Sequence, residues 1–287
     1  MLMIKKLITG IYAFAITIAA FATADSGDVI ILDGEFWNLL ARPIWSDSTL
    51  YHNLKTVLPE DRSWTTANWD GYTAWWSIRE NRLCLDSIMV ECYNKETQQH
   101  ITRCIDEADM RRVFSDYYQN NEIIATWVTA DIRAAKGDLL YYDHSGFNRN
   151  LEYEQIFSVH KGKVTDKKSY HNRVVTEGFS FSDLQSQEDI KAKFPLNVGN
   201  HPELKGLSGI RIYFKTDSFR FDATGNFIDG YVKVYSVPSG EDKVRTLDGV
   251  AQEIKALMKN IHPWKILFIN GEYVTGDKGY VMPYYLK

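Results

Sequence analysis

The chain has 287 residues, 33 Lys and Arg against 37 Asp and Glu, and a formal net charge of −4. That acidic balance excludes general nucleic-acid binding, which needs a basic surface to neutralise phosphates. The hydrophobic share of 45% excludes a disordered chain, and seven scattered prolines exclude a stiff proline-rich spacer.

Lys5 and Lys6 precede an apolar run from Leu7 to Phe21, and Ala22-Thr23-Ala24 closes it before Asp25. A basic start, a short apolar core and an A-x-A site predict an export signal over residues 1–24, because signal peptidase accepts only small residues beside the cut. An uncleaved anchor is the competing reading, since the run falls slightly short of the roughly 20 residues that span a bilayer. The small-residue site decides for cleavage. Removing residues 1–24 takes away two lysines and no acids, so the mature charge becomes −6. No later segment is apolar enough to span a membrane, and the expected location is the periplasm or the exterior.

The expected mature chain opens with "DVIILDGEFWNLLARPI", in which Asp33-Gly34 suits a tight hairpin turn between two strands. "GYTAWWSIRENRLCLDSIMVECY" reads as a second hairpin turning at "RENR". Trp64, Trp69 and Trp75, with amides such as Asn68, suggest a glycan-binding patch in which rings stack on sugars. The competing reading is core packing, and Trp75 and Trp76 must face opposite ways on a strand.

Three cysteines, Cys84, Cys92 and Cys104, are compatible with a disulfide in an exported chain. A turn through "NKETQQ" sets Cys92 and Cys104 about symmetrically across a hairpin, which makes them the expected pair. No cysteine spacing matches a zinc site, so no metal is expected. Met110, Val113, Phe114 and Tyr117 recur at helical spacing and predict a short helix.

From Ile123 strand signals resume, and "LLYYDHSGFNRNLEYEQ", residues 139 to 155, gathers an acid, a histidine, an arginine and two glutamates. As chemistry, His144 would be a general base oriented by Asp143 or Glu152, with Arg149 holding an anion. As structure, the stretch is a hairpin turn whose Asp, Gly and Asn serve the backbone, followed by a strand with Glu152 and Glu154 on one face and Leu151 and Tyr153 on the other. The structural reading is preferred. No catalytic residue is assigned, and no cofactor is expected because no phosphate-binding glycine loop follows a strand.

"SFSDLQSQEDIKAK", residues 180 to 193, is polar and is where a domain boundary is expected. This divides the chain into a β-rich module, 25–185, and a second domain, 195–287. In the second, Ile210, Ile212 and Phe214 alternate along a strand and "ATGN" marks a turn. Thr246 is the expected cap of an amphipathic helix ending before Pro263, and Asn270-Gly271 marks a last hairpin.

The pieces "ATGNFIDGYVKVYSV", "LDGVAQEIKALMKNI", "PWKILFINGEYV" and "YVMPYYL" follow one another as in the TonB C-terminal domain family, which this region resembles over about 70 residues. Pro263 precedes Trp264, whereas the family pattern has a proline after the tryptophan, and no long spacer is present. The resemblance implies a protein-binding fold and does not imply energy transduction. Its partner would be an envelope or outer-membrane protein adding a strand at an edge formed by Tyr273, Val274, Tyr280, Val281, Met282 and Tyr284. An edge that only finishes the domain is the alternative.

The first half, through "GYTAWWSIRENRLCL" and "WVTADIRAAKGDLLYYDHSGFNRNLEYEQIFSVHKGKV", resembles an uncharacterised exported bacterial protein family. The expectation is therefore an α+β, exported, non-enzymatic cell-envelope protein: a mainly antiparallel β module followed by a small TonB-C-like α+β domain. The alternative is a glycan-binding protein or hydrolytic enzyme acting through the first module.

Overall fold

The computed structural model describes residues 25–143, 146–237, 243–275 and 279–286. The expected signal at 1–24 and the candidate base His144 lie outside the described residues. The first part runs β1 (Asp28–Leu32), β2 (Glu35–Leu39), α1 (Ser48–Lys55), β3 (Tyr72–Arg79), β4 (Arg82–Asn94), β5 (Gln99–Cys104), α2 (Glu107–Val113), β6 (Tyr118–Gln119), β7 (Glu122–Ile124), β8 (Ala130–Tyr142), β9 (Arg149–His160) and β10 (Lys163–His171). The second runs β11 (Arg173–Thr176), α3 (Gln187–Lys193), β12 (Gly209–Phe221), β13 (Phe227–Ser236), α4 (Asp248–Lys259), β14 (Ile266–Ile269), β15 (Glu272–Val274) and β16 (Tyr280–Tyr285). The protein is α+β, with a large mixed sheet.

The hairpin turns form where positive φ is tolerated. Asp33 and Gly34 have φ of 52° and 82°, Glu80 and Asn81 of 49° and 58°, and Asn270 and Gly271 of 52° and 93°. The first sheet has ten strands in the order β10-β9-β8-β2-β1-β3-β4-β7-β6, with β5 also on β4. It curls until β10 meets β4 at Lys163 and Arg82, bringing its two sides together around one core. Neighbours are antiparallel except β1 and β3, which run parallel with Ile30 beside Trp76. The long segment between β2 and β3 supplies the return path that a parallel pair needs.

Ile30, Leu39, Ala74, Trp76, Leu83 and Ile88 are fully enclosed in that core. Trp76 is buried while Trp75 is partly exposed and meets Phe36 edge-on at 5.4 Å, as alternation along β3 demands.

The second core begins earlier than the expected boundary. β11 pairs with β14, and Phe179, Phe181, Ile190 and Phe194 are buried with the helix and strands that follow. The polar stretch 180–193 thus packs with the second core through Phe181 and Ile190. Its serines and aspartates are spent on two capping boxes, Ser180 with Asp183 and Ser186 with Asp189, which start a short turn and α3. Asn172 lies between β10, the last strand of the large sheet, and β11, which belongs to a separate sheet.

In the second core β12 lies between β13 and β16, and β14 lies between β11 and β15. The face of α4 bearing Val250, Ile254 and Met258 packs into it, and Trp264, 1% exposed, donates to Met258 O at 3.2 Å. Thr246 does not cap α4: Leu247 holds the cap position without a side-chain bond, and Thr246 forms a bridge with Tyr235.

The expected Cys92–Cys104 disulfide is absent, and all three cysteines are free thiols. β5 pairs with β4 so that Cys92 faces Ile101 and Cys104 faces Met89. Their mismatch of three positions puts the two thiols on opposite faces of the sheet, because side chains alternate with period two. Cys92 is buried and Cys104 exposed.

Candidate functional site

Between α1 and β3 the backbone of Thr65 and Asn68 exchanges two hydrogen bonds, Thr65 N to Asn68 O at 3.1 Å and Asn68 N to Thr65 O at 3.0 Å. This tight turn brings Trp64 and Trp69 into a stack, with ring centroids 5.6 Å apart and planes inclined by 16°. The rings are 63% and 65% exposed, so the stack stands out as a ridge.

A buried charge cluster fixes the ridge from below. Arg42, at the end of an otherwise apolar run, donates to Asn68 Oδ1 at 2.8 Å, to Tyr72 O at 3.1 Å and to Ser26 Oγ at 3.2 Å. Its guanidinium lies 5.3 Å from the ring centres of both Trp45 and Tyr72, and 3.9 Å from Asp70. Asp70 accepts from Trp45 Nε1 at 2.9 Å and from the Tyr51 hydroxyl, with Lys55 Nζ 3.9 Å away. Burial, reinforced by that bond to Asp70, raises the Tyr51 pKa. Gly71 completes the turn at φ 71°, where a Cβ would lie 2.6 Å from Ser63 O.

Asp28, at the start of β1, accepts from Trp76 Nε1 at 3.0 Å and from Ala74 N at 3.1 Å. Burial raises its pKa to about 6, against the pull of nearby Arg42. Burial likewise raises the pKa of Tyr72, whose hydroxyl has no partner among the described residues.

A shallow groove beside the ridge is walled by Trp64, Ser63, Asp61, Lys95, Tyr93 and His100. Tyr93 and His100 have ring centres 5.2 Å apart, and His100 Nδ1 is 3.4 Å from Ser63 Oγ. The groove lining therefore combines aromatic rings with hydroxyl, carboxylate and ammonium groups, the Asp61 carboxylate being paired with Arg103 at 3.0 Å.

Of the predicted patch, Trp64 and Trp69 come together, while Trp75 lies apart against Phe36. Asn68 does not present its amide outward: Oδ1 accepts from Arg42 and Nδ2 donates to Tyr72 O at 3.0 Å. Arg42, Asp70 and Asp28 were not candidates from sequence, although an arginine inside "LLARPIW" and an aspartate heading "DVIIL" are signals of buried charge.

Residues 146–149, leading into β9, pack against the chain segment before β1 and against β8. Gly146 O accepts from Asp25 N at 3.2 Å, Arg149 donates to Asp25 O at 2.8 Å, and Arg133 donates to Phe147 O at 2.7 Å. Burial lowers the pKa of Arg149. Glu152 lies 3.3 Å from His171 Nε2, with no bond to Arg149. The expected alternation fails here. Breaks in the β8–β9 register leave Leu151 and Glu154 buried and Tyr153 exposed. Glu154, fully buried, accepts from Leu151 N at 2.9 Å and from Asn150 Nδ2 at 3.1 Å, and lies 3.7 Å from Arg133. Its lone pairs are consumed in holding the hairpin.

The expected docking edge divides as follows. Tyr273 and Val274 in β15 are half-buried; in β16 Met282 and Tyr284 are buried, Tyr280 is half-buried and Val281 is exposed. The outward edge of β16 is covered by Gln187 of α3, whose Nε2 donates to Pro283 O and whose Oε1 accepts from Tyr285 N, both at 2.9 Å. Pro283 itself has no N–H to offer an incoming strand.

Among the described residues no group of side chains is arranged to hold a metal, and no helix is long and apolar enough to cross a membrane. The chain matches no family model, no curated protein and no solved structure.

Proposed function

We propose that this chain is an exported, non-enzymatic cell-envelope protein that binds a glycan along the Trp64–Trp69 ridge and its groove. The observation that carries this reading is a pair of large aromatic rings, about two-thirds exposed yet held in place by a buried ion cluster. Exposing that much apolar surface costs stability unless something covers it. Sugars suit it because their C–H faces stack on rings while Ser63, Asp61 and Lys95 meet hydroxyls at the groove.

The test is quenching of tryptophan fluorescence during titration with envelope polysaccharides, with Trp64→Ala/Trp69→Ala alongside. Saturable quenching lost in the double variant supports the reading. A flat titration of the unaltered protein overturns it.

A second role, protein contact through a TonB-C-like domain at 195–287, is favoured by the order of elements. The β12–β13 hairpin, helix α4, buried Trp264, the Asn270-Gly271 turn and a final strand paired with β12 succeed one another as that resemblance implies. Strand addition to β16 is disfavoured by the Gln187 cover, which leaves the β15 edge as the candidate. Deletion of residues 173–287, which removes the whole second core, is expected to abolish partner capture in an envelope crosslink. Undiminished capture removes this role.

A further inference from the structure

The three-stranded sheet β13-β12-β16 buries one face against α4 and leaves the other open. Ile210, Ile212, Phe214, Val234 and Met282 point into the core. The alternate residues form the open face, and the register aligns them in rows: Tyr235, Arg211 and Pro283 in one, Lys233, Tyr213 and Val281 in the next, then Tyr231 beside Lys215. Tyr285 extends the face opposite Gly209. Tyr231, Val281 and Tyr285 are 47%, 55% and 55% exposed.

This face is basic in an acidic chain. The paired segments 209–215, 231–236 and 280–285 contain three cations and no Asp or Glu. The nearest acid along β12 is Asp217, 4.0 Å from Lys215. Arg211 makes no ion pair or side-chain hydrogen bond among the described residues, and the Lys233 ammonium sits 4.8 Å from the Tyr235 ring centre. Lys215 is paired with Asp217, whereas Arg211 and Lys233 have no acidic partner among the described residues and are complementary to a negatively charged ligand.

Size favours a polymer segment over a folded partner. Three strands about 4.8 Å apart and about seven residues long give a face of roughly 330 Å². A stable protein interface takes about 800 Å² per partner. An extended chain of a few sugars fits that area, with rings lying on exposed tyrosines and acid groups meeting cations spaced along the rows.

We propose that this open face binds an anionic polysaccharide, with Arg211 and Lys233 pairing its carboxylate or phosphate groups and Tyr213, Tyr231 and Tyr285 supporting its sugar rings. It is a separate surface from the tryptophan ridge, and neither proposal depends on the other.

The test is affinity electrophoresis of the whole mature chain through gels containing polygalacturonate, dextran, poly-glutamate or single-stranded polydeoxythymidine. Polygalacturonate should retard the protein, and Arg211→Glu/Lys233→Glu should weaken that retardation roughly tenfold, as should added salt, because both remove cation–polyanion contacts. Tyr231→Ser/Tyr285→Ser, at exposed positions, should also weaken it, while Trp64→Ala/Trp69→Ala should leave it unchanged. Unaltered retardation in the charge-reversed variant overturns the proposal. So does equal or stronger retardation by poly-glutamate or polydeoxythymidine, or loss of retardation in the tryptophan variant.

Discussion

The Asn172 side chain accepts a hydrogen bond from Asn270 N at 2.9 Å and donates one to Leu151 O at 2.8 Å, joining the two cores through one fully buried amide. Its own N–H donates to Glu152 O at 2.7 Å. Alanine at 172 strands one donor and one acceptor, each costing about 1–3 kcal/mol when buried. Asn172→Ala should therefore lower urea-measured stability by about 3 kcal/mol and speed proteolysis near 171–177. A loss below about 1 kcal/mol would mean that water replaces the amide at little cost.

Asp28 sets a pH dependence whose sign is fixed by its environment. Its folded pKa of about 6 exceeds the ordinary 3.8, so the native state holds the proton more tightly than the unfolded state does. Stability from this group is full below the ordinary value and is lost as pH rises through about 6, with a limit of about 3 kcal/mol. Asp28→Asn removes the titration. Denaturation at a series of pH values should give a difference between the two proteins that changes between pH 4 and 7 and is flat elsewhere. A constant difference throughout contradicts the assignment.

The cysteines should behave as three thiols of two kinds. Burial raises the pKa of Cys84, Cys92 and Cys104, yet only Cys104 is exposed. An aromatic disulfide reagent should label one thiol in the native protein at least about tenfold faster than the others, because reaction requires an accessible thiolate. The other two should react on unfolding. A Cys92–Cys104 crosslink in the oxidised, folded protein would refute the β4–β5 register.

Local chemistry was legible in the sequence and distant closure was not. Asp33-Gly34 and Asn270-Gly271 marked their turns because positive φ is a property of those residues themselves. The meeting of β10 with β4 rests on Lys163 and Arg82, 81 positions apart, and no local pattern announces it. The cysteine pairing failed because turn length sets register, and an error of three positions moves a side chain to the other face. Asn68 looked like a sugar ligand and proved to be an acceptor for Arg42, 26 residues earlier. The exposed Trp64 and Trp69 were found as candidates, but the cluster fixing them was hidden because its charges are scattered singly among apolar residues.

Asp70 should control the ridge without touching a ligand. Replacing it with alanine leaves Trp45 Nε1 and the Tyr51 hydroxyl without their acceptor and removes the carboxylate beside Arg42. Loss of one partner from a buried pair costs about 3 kcal/mol or more. Asp70→Ala should shift tryptophan emission and weaken glycan binding, whereas Lys55→Ala, at an exposed ammonium 3.9 Å from Asp70, should change stability by less than about 1 kcal/mol. Equal effects would mean that the cluster does not hold the ridge.

Gln187 guards the last strand. Its amide occupies the outward carbonyl of Pro283 and the outward N–H of Tyr285, the two groups an added strand would use. Both bonds are solvent-exposed, so Gln187→Ala should cost only about 1 kcal/mol of stability. The larger consequence is an open edge, and an unpaired edge is a template for strand addition. Sedimentation should show concentration-dependent association of Gln187→Ala but not of the unaltered protein. Gln187→Glu separates the two bonds, since a carboxylate still accepts from Tyr285 N but cannot donate to Pro283 O, and it should associate to an intermediate extent. If the alanine variant stays monomeric at every concentration, Pro283 alone is enough to close the edge, and the amide serves only to dock α3.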